Sequence, residues 1–467
     1  MAAPAPDLPP QSPATTVALP APLFTGQALL KRSLRWSSLL CLVYVTVCSG
    51  PFGLEEFVQS VGPGMAFLLL LITPIFWGLP LLFMSAELSS ALPLEGGLYR
   101  WVKTAFGDFW GFQAGWWWWL SSFLDCAIYA VLVADYFEFF YPHMNAFAHW
   151  GIALAVIWFF TFLNVRGIEV IGASSTIFVV LMLAPFVIMI ILGVPQISQN
   201  PFTPLLPPGE NFMATFSSGL LMSIWFISGF EALASASEEI QNSARVLPRA
   251  LRIIFPTILL SYGLPILVSL AVDANWQSWE SGHFAKIAET LGGPLLGGWV
   301  SLAGVIANMA LFGTWLLSYS RIPFAMANDG YLPKAIARIS PRYGTPVFAI
   351  VFSAVIYSLV SWFDFRSLVE MDIWVILPGM FLEFLALAKL RRSHPHLTRH
   401  FRVPGGKWGL AFTVISPIAI GLFAMFGGGA EYIFPGAIAL ASGPLAFWLC
   451  KRFVKNVHRP GGFTPAA

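Results

Sequence analysis

The chain has 467 residues, 57% of them hydrophobic and 10% charged, with a formal net charge of +2 and a mean hydropathy of +0.74. That balance excludes an ordinary soluble globular protein and predicts an all-α integral membrane protein. The near-neutral net charge excludes little, because in such a protein the informative quantity is which loops hold the Lys and Arg residues.

Residues 1–25 hold seven prolines and no Lys or Arg, so they lack the charged start and apolar core of a signal peptide. Residues 1–36 are expected to be a disordered cytoplasmic tail. About 20 apolar residues cross a bilayer, and on that measure twelve spans follow, near 37–60, 65–92, 109–139, 147–164, 168–193, 212–241, 250–272, 295–320, 347–363, 371–388, 409–427 and 431–450. Residues 453–467 form a second tail. The tails and even-numbered connections carry 23 Lys and Arg, against only Lys286 and Arg366 on the other side. Both termini are therefore expected in the cytoplasm, with the protein in the cell membrane.

The first span is interrupted by Ser49-Gly50-Pro51-Phe52-Gly53 and followed by Glu55 and Glu56. Hydrocarbon supplies no water to backbone groups, so an unwound segment at membrane depth survives only where it is buried in protein or lines a cavity. The sixth span carries Ser228-Gly229-Phe230-Glu231, and the two Ser-Gly pairs lie 179 residues apart. Paired breaks in corresponding halves point to the substrate site of an inverted-repeat transporter. The competing account is that Gly and Pro merely kink two packing helices.

No Lys or Arg lies clearly inside a span, and the seven histidines sit in loops or at span edges. The acids differ: Glu55, Glu56, Glu87, Asp125, Asp135, Glu138, Glu231, Glu238, Glu239, Asp372 and Glu383 fall within spans or at their ends. Intramembrane carboxylates are costly and usually functional, and without basic neighbours they favour a cationic substrate, a proton, or both. Glu87, Glu238 and Glu239 approach the cytoplasmic ends, whereas Asp125 and Glu231 lie deep, with Glu55 beside the first break. In the run Trp116 to Trp119 successive indoles point about 100° apart, so at most one or two can face a pocket. Cys41, Cys48, Cys126 and Cys450 lie in apolar stretches without metal or disulfide spacing and are read as small buried residues.

Five motifs in order resemble the amino acid/polyamine/organocation transporter superfamily. They are Pro93-Leu94-Glu95-Gly96-Gly97-Leu98-Tyr99, Asn164-Val165-Arg166-Gly167, Gly229-Phe230-Glu231 with Glu238-Glu239 and Pro248, Asp329-Gly330-Tyr331-Leu332-Pro333, and Arg402-Val403-Pro404-Gly405-Gly406. Ser49 to Glu56, and Gly111-Phe112-Gln113-Ala114-Gly115-Trp116 leading to Asp125, look most like the plant and protozoan polyamine transporters. The resemblance implies a leucine-transporter arrangement: five-helix repeats at 37–193 and 212–390 related by inversion, helices 11 and 12 at 409–452, and helices 1 and 6 discontinuous.

Amino acid carriers of the superfamily bind the substrate carboxylate on backbone N–H groups of a Gly-Ser-Gly break. Here Pro51 has no N–H to give, so an organic amine is the expected cargo. Glu231 and Asp125 are then the expected cation ligands, with Trp116, Trp119 or Trp225 offering cation–π contacts. The candidate substrate site is Ser49, Gly50, Pro51, Phe52, Gly53, Glu55, Trp116, Trp119, Asp125, Trp225, Ser228, Gly229, Phe230 and Glu231. A cationic or broad-specificity amino acid permease stays open as the alternative, because Ser49, Gly50, Phe52 and Gly53 retain donors. The Lys on helix five that some proton-coupled members use has no counterpart in Gly167 to Gly193. A buried carboxylate is the expected proton carrier, with sodium symport and exchange ranked behind. No cofactor, metal, catalytic residue or nucleic-acid partner is expected; the partners are a small amine or amino acid and the lipid bilayer. A membrane enzyme lacks the intramembrane His for a metal cluster or a nucleophile's base. A channel usually builds its filter from oligomeric rings.

Overall fold

A computed structural model describes residues 44–45, 47–48, 50–92, 97–167, 175–197, 200–229, 243–399, 401–427 and 433–453. Ser49, Phe230, Glu231, Glu238 and Glu239 lie outside the described residues. Every described element is helical. In chain order they are α1 (Leu54–Val61), α2 (Pro63–Thr73), a π-helical turn (Pro74–Gly78), α3 (Leu79–Ala91), α4 (Gly97–Phe106), α5 (Asp108–Phe137), α6 (Ala146–Val165), α7 (Ser175–Gly193) and α8 (Phe212–Phe226). Then come α9 (Ser243–Val272), α10 (His283–Asn328), α11 (Val347–Val360), α12 (Phe365–Ser393), α13 (Gly406–Gly427) and α14 (Ile433–Phe453).

Among the described residues eight helices are long and apolar enough to cross a membrane, and Phe212–Phe226 and Val347–Val360 are shorter apolar helices. The protein is a multi-pass membrane protein. Large side chains such as Phe147, Leu295 and Trp408 are exposed around the outside, which suits lipid rather than water. Around α5 the packing is densest: α10 and α12 lie against it on either side, and 78% of its most apolar window is buried, against 28% for α6.

Two predicted spans begin earlier than expected, and a third is preceded by a helical segment across a kink. The span set at 371–388 lies inside α12, which starts at Phe365 and runs to Ser393. Asp364 caps it by accepting from the Ser367 N–H at 3.0 Å. Arg366, Ser367 and Glu370 depress the hydropathy of that first turn without breaking the helix, and Arg366 bonds Glu370 four residues on at 2.9 Å. The span set at 295–320 belongs to α10, whose first part ends at a kink where Gly293 has φ 77°. The span set at 250–272 starts at Ser243 in α9.

Candidate functional site

The first break is where the backbone leaves helical geometry. Tyr44, Val45 and Val47 are helical, and the Cys48 N–H still donates to Tyr44 O at 2.8 Å. Gly50 then takes φ 111° and Gly53 φ 86°, values that L side chains adopt only under strain. At Gly53 the chain re-enters a helix as α1. Its first turn carries Glu55, whose carboxylate accepts from the Gly53 N–H at 3.0 Å, from the Phe284 N–H at 3.3 Å and from the Tyr136 hydroxyl. A carboxylate in the first turn of a helix is favoured by the helix dipole, and here it also ties α1 to α5 and α10.

The second break ends α8. Ile227 and Ser228 close the last turn with N–H bonds of 3.2 Å to Ser223, Ile224 and Trp225 carbonyls, and Gly229 takes φ 106°. The Tyr262 hydroxyl donates to Phe226 O at 3.0 Å, which satisfies a carbonyl that the ended helix leaves over. Trp77 Nε1 donates to Ser228 Oγ at 3.1 Å. Trp77 stands in the π-turn Pro74–Gly78, a wider turn of the kind often found at functional sites.

Both breaks face one cavity of about 60 Å³. From the first break come Val47, Cys48, Gly50 and Phe52, and from the second Trp225, Phe226, Ser228 and Gly229. Helix α5 contributes Asp125 and Tyr129, α10 contributes Asn308, Leu311, Trp315 and Tyr319, and α12 contributes Asp372, Ile373, Ile376 and Met380. The described lining therefore holds two carboxylates and no Lys, Arg or His. Asp125 is held on both oxygens: Trp225 Nε1 donates to Oδ1 at 2.9 Å and the Tyr319 hydroxyl to Oδ2 at 3.0 Å. Among the described residues neither Asp125 nor Asp372 has an ion-pair partner. Aromatic rings frame the pair, with Tyr129 5.9 Å from Trp225 and Trp315 stacked on Tyr319 at 5.1 Å. Phe52 meets Tyr136 edge-on at 5.0 Å.

Of the residues singled out from the sequence, Gly50, Phe52, Asp125, Trp225, Ser228 and Gly229 come together here. Pro51 and Gly53 shape the first break beside the cavity. Three others are placed off the lining. Glu55 is engaged by the three donors named above. Trp116 donates to Ser442 Oγ at 2.8 Å and stacks on Phe112, and Trp119 packs on Phe123 and Phe352. The placement of the indoles follows from helix direction: the face of α5 that meets the cavity carries Asp125 and Tyr129, four residues apart. Residues 116 and 119 lie around the cylinder from it. Tyr129, Tyr319, Tyr262, Asn308, Trp315 and Asp372 line the cavity without having been assigned to it from sequence. Asp372 alone carried a signal, as an embedded acid without a basic neighbour.

Two polar clusters lie elsewhere. Asp329, at the end of α10, accepts from Tyr99 Oη at 2.6 Å, Arg100 at 2.8 Å and Lys103 at 2.5 Å. Fully buried Glu87 pairs with Arg391, lies 3.4 Å from Arg399, and accepts from the Val403 N–H at 2.8 Å. Among the described residues no group of three or more His, Cys, Asp and Glu is arranged to hold a metal ion.

Residues 34–447 match the amino acid permease family. A probable polyamine transporter of Arabidopsis thaliana is 33% identical over 394 residues, covering 83% of this chain and 81% of that protein. Polyamine transporter RMV1 of the same plant is 31% identical, covering 83% and 79%. Polyamine transporter PUT1 of Oryza sativa subsp. japonica is 33% identical, covering 83% and 73%. The matched stretch takes in most of the chain, both glycine-containing breaks included: the chain belongs to the amino acid permease family.

Proposed function

We propose that the protein is a secondary active transporter of organic amines, polyamines among them, working by alternating access. The observation that carries this reading is the cavity itself: two helix breaks, two buried carboxylates and a frame of aromatic rings, with no cationic side chain in its described lining. A carboxylate in a low-dielectric site attracts an ammonium strongly, and tryptophan and tyrosine faces add cation–π attraction. Asp125 is the first ammonium ligand, positioned by Trp225 and Tyr319, and Glu231 is assigned to the same ammonium on its place in the sequence. The names of the plant relatives support the same cargo class.

The fold belonging to this function is twelve membrane helices with 37–193 and 212–390 as inverted repeats and helices 1 and 6 discontinuous. The protein sits in the cell membrane with both termini in the cytoplasm, as the distribution of Lys and Arg favours. Uptake is coupled to protons. The embedded acids supply groups that can carry one, and a protonophore should then abolish accumulation while leaving exchange intact.

Uptake and counterflow in proteoliposomes test the reading, with labelled putrescine, spermidine, arginine and leucine competed against one another. Saturable counterflow with amines preferred is expected. Leucine or arginine winning the competition would move the protein to the second reading, an amino acid permease, which the family's description favours. Flux without counterflow would mean a channel. An experimental structure in which the two repeats fail to superpose by a two-fold rotation would remove the inverted-repeat architecture.

A further inference from the structure

The geometry points to a second ammonium subsite at Asp372, which makes the cavity select cargo with two ammonium groups over cargo with one. The inference rests on the amine-transport reading and deepens it.

Asp372 lies on α12, is 2% exposed and lines the cavity next to α5. Its Oδ1 accepts from Ser121 Oγ at 2.6 Å. Ser121 and Asp125 are four residues apart on α5, so they share a face and differ by one turn, about 6 Å along the axis. The bond to Ser121 therefore sets the Asp372 carboxylate beside the face of α5 that carries Asp125. The two acids also differ in what they leave free. Both oxygens of Asp125 already accept a neutral donor, whereas Asp372 Oδ2 accepts none among the described residues. An independent acceptor faces the same space from α10. Asn308 is 2% exposed and donates its Nδ2 to Gly304 O at 2.9 Å, while its amide oxygen receives no bond among the described residues. Both residues line the cavity, so the two oxygens are acceptors open to whatever cargo occupies it. An ammonium has three N–H groups to give. The wall alongside is apolar, from Leu311, Ile373 and Ile376, which suits methylenes between two charged ends.

The test is uptake of 1,4-diaminobutane and of n-butylamine by the full-length protein in proteoliposomes, for wild type, Asp372→Asn and Asp372→Glu. Wild type should bind the diamine at least about tenfold more tightly than the monoamine. Asp372→Asn should raise the diamine half-saturation constant by about tenfold or more and by a clearly larger factor than the monoamine's, since it removes one of two charge pairs. Asp372→Glu should keep the diamine preference. A wild type that takes n-butylamine as tightly as the diamine overturns the subsite without need of any variant, as does an Asp372→Asn protein that weakens both cargoes equally. A wild type that moves no amine at all overturns the transport reading and the subsite with it.

Discussion

Asp125 shows how a side chain's partners decide what a substitution does. With Trp225 Nε1 and the Tyr319 hydroxyl donating to its two oxygens, the carboxylate is held in place by neutral donors and meets no cationic side chain among the described residues. Asp125→Asn keeps the shape, removes the charge and turns one oxygen into an NH2 group facing a donor. Uptake of cationic amines should fall by at least an order of magnitude in affinity, in line with roughly 2 to 5 kcal/mol for breaking a buried charge pair. A half-saturation constant near wild type would take Asp125 out of the site. Pro51 makes the complementary case, because it withholds an N–H where a substrate carboxylate would need one. Pro51→Ile should improve leucine binding relative to putrescine, and an unchanged ratio in a folded variant would count against that account. The deep position of Asp125 was legible from sequence, since an acid in the middle of a long apolar run cannot reach the water at either end and turns to the bundle interior. What Glu55 does was not. An acid two residues after a glycine break reads alike as ligand or as cap, and only the Gly53 and Phe284 N–H groups and the Tyr136 hydroxyl show which donors it meets.

Among the elements, the first break was the most legible and the helix starts the least. Glycine and proline at membrane depth are a strong local signal, whereas a polar first turn looks like a loop to any hydropathy average. That is why α12 was predicted six residues short and Asp372 was placed at a span edge instead of inside the bundle. The break depends on Gly53, whose φ of 86° an added Cβ would strain and whose Cβ would stand 2.7 Å from Phe365 Cζ. Left-handed backbone costs a non-glycine residue about 1 to 2 kcal/mol, and displacing the Phe365 ring adds to it. Gly53→Ala should therefore lower the melting temperature in detergent and slow transport together; wild-type values for both would mean that the break tolerates a side chain. The far end of α3 carries a different device. Glu87 is fully buried, and its bonds to Arg391 and to the Val403 N–H join α3 to α12 and to the strand-free segment before α13. Glu87→Gln leaves the Arg391 guanidinium without its counter-charge, a loss of about 3 kcal/mol or more for a buried pair. The expected result is a clear drop in thermal stability at nearly unchanged amine affinity, and a shift in affinity instead would place Glu87 in the transport cycle.

For the whole molecule the question is what holds one face closed while the other opens, and the Asp329 cluster is placed to do it on the side assigned to the cytoplasm. It joins α4 to the end of α10, so any motion that parts these helices must break its three bonds. Asp329 is 8% exposed, and Lys103 also lies 3.6 Å from Asp108. Burial, together with the negative charge of Asp329, pushes the Tyr99 phenol above its ordinary range. Tyr99 accordingly stays a protonated donor at any physiological pH. Asp329→Asn removes the acceptor charge and leaves Arg100 and Lys103 repelling one another. Hydrogen bonds to charged groups contribute about 1.5 to 3 kcal/mol, so losing one shifts a two-state equilibrium by about one to two orders of magnitude. The reporter is already in the chain, because Cys48 lines the cavity and, with Cys41, Cys126 and Cys450 replaced by Ala, is the single thiol left. In inside-out vesicles a cationic thiol reagent should label Cys48 about tenfold faster in the Asp329→Asn protein than in its parent, and saturating putrescine should slow the reaction in both. Labelling from the opposite face should slow by a similar factor, since one population grows at the other's expense. If both faces label at parental rates, the cluster does not gate the cavity and serves only to hold α4 against α10.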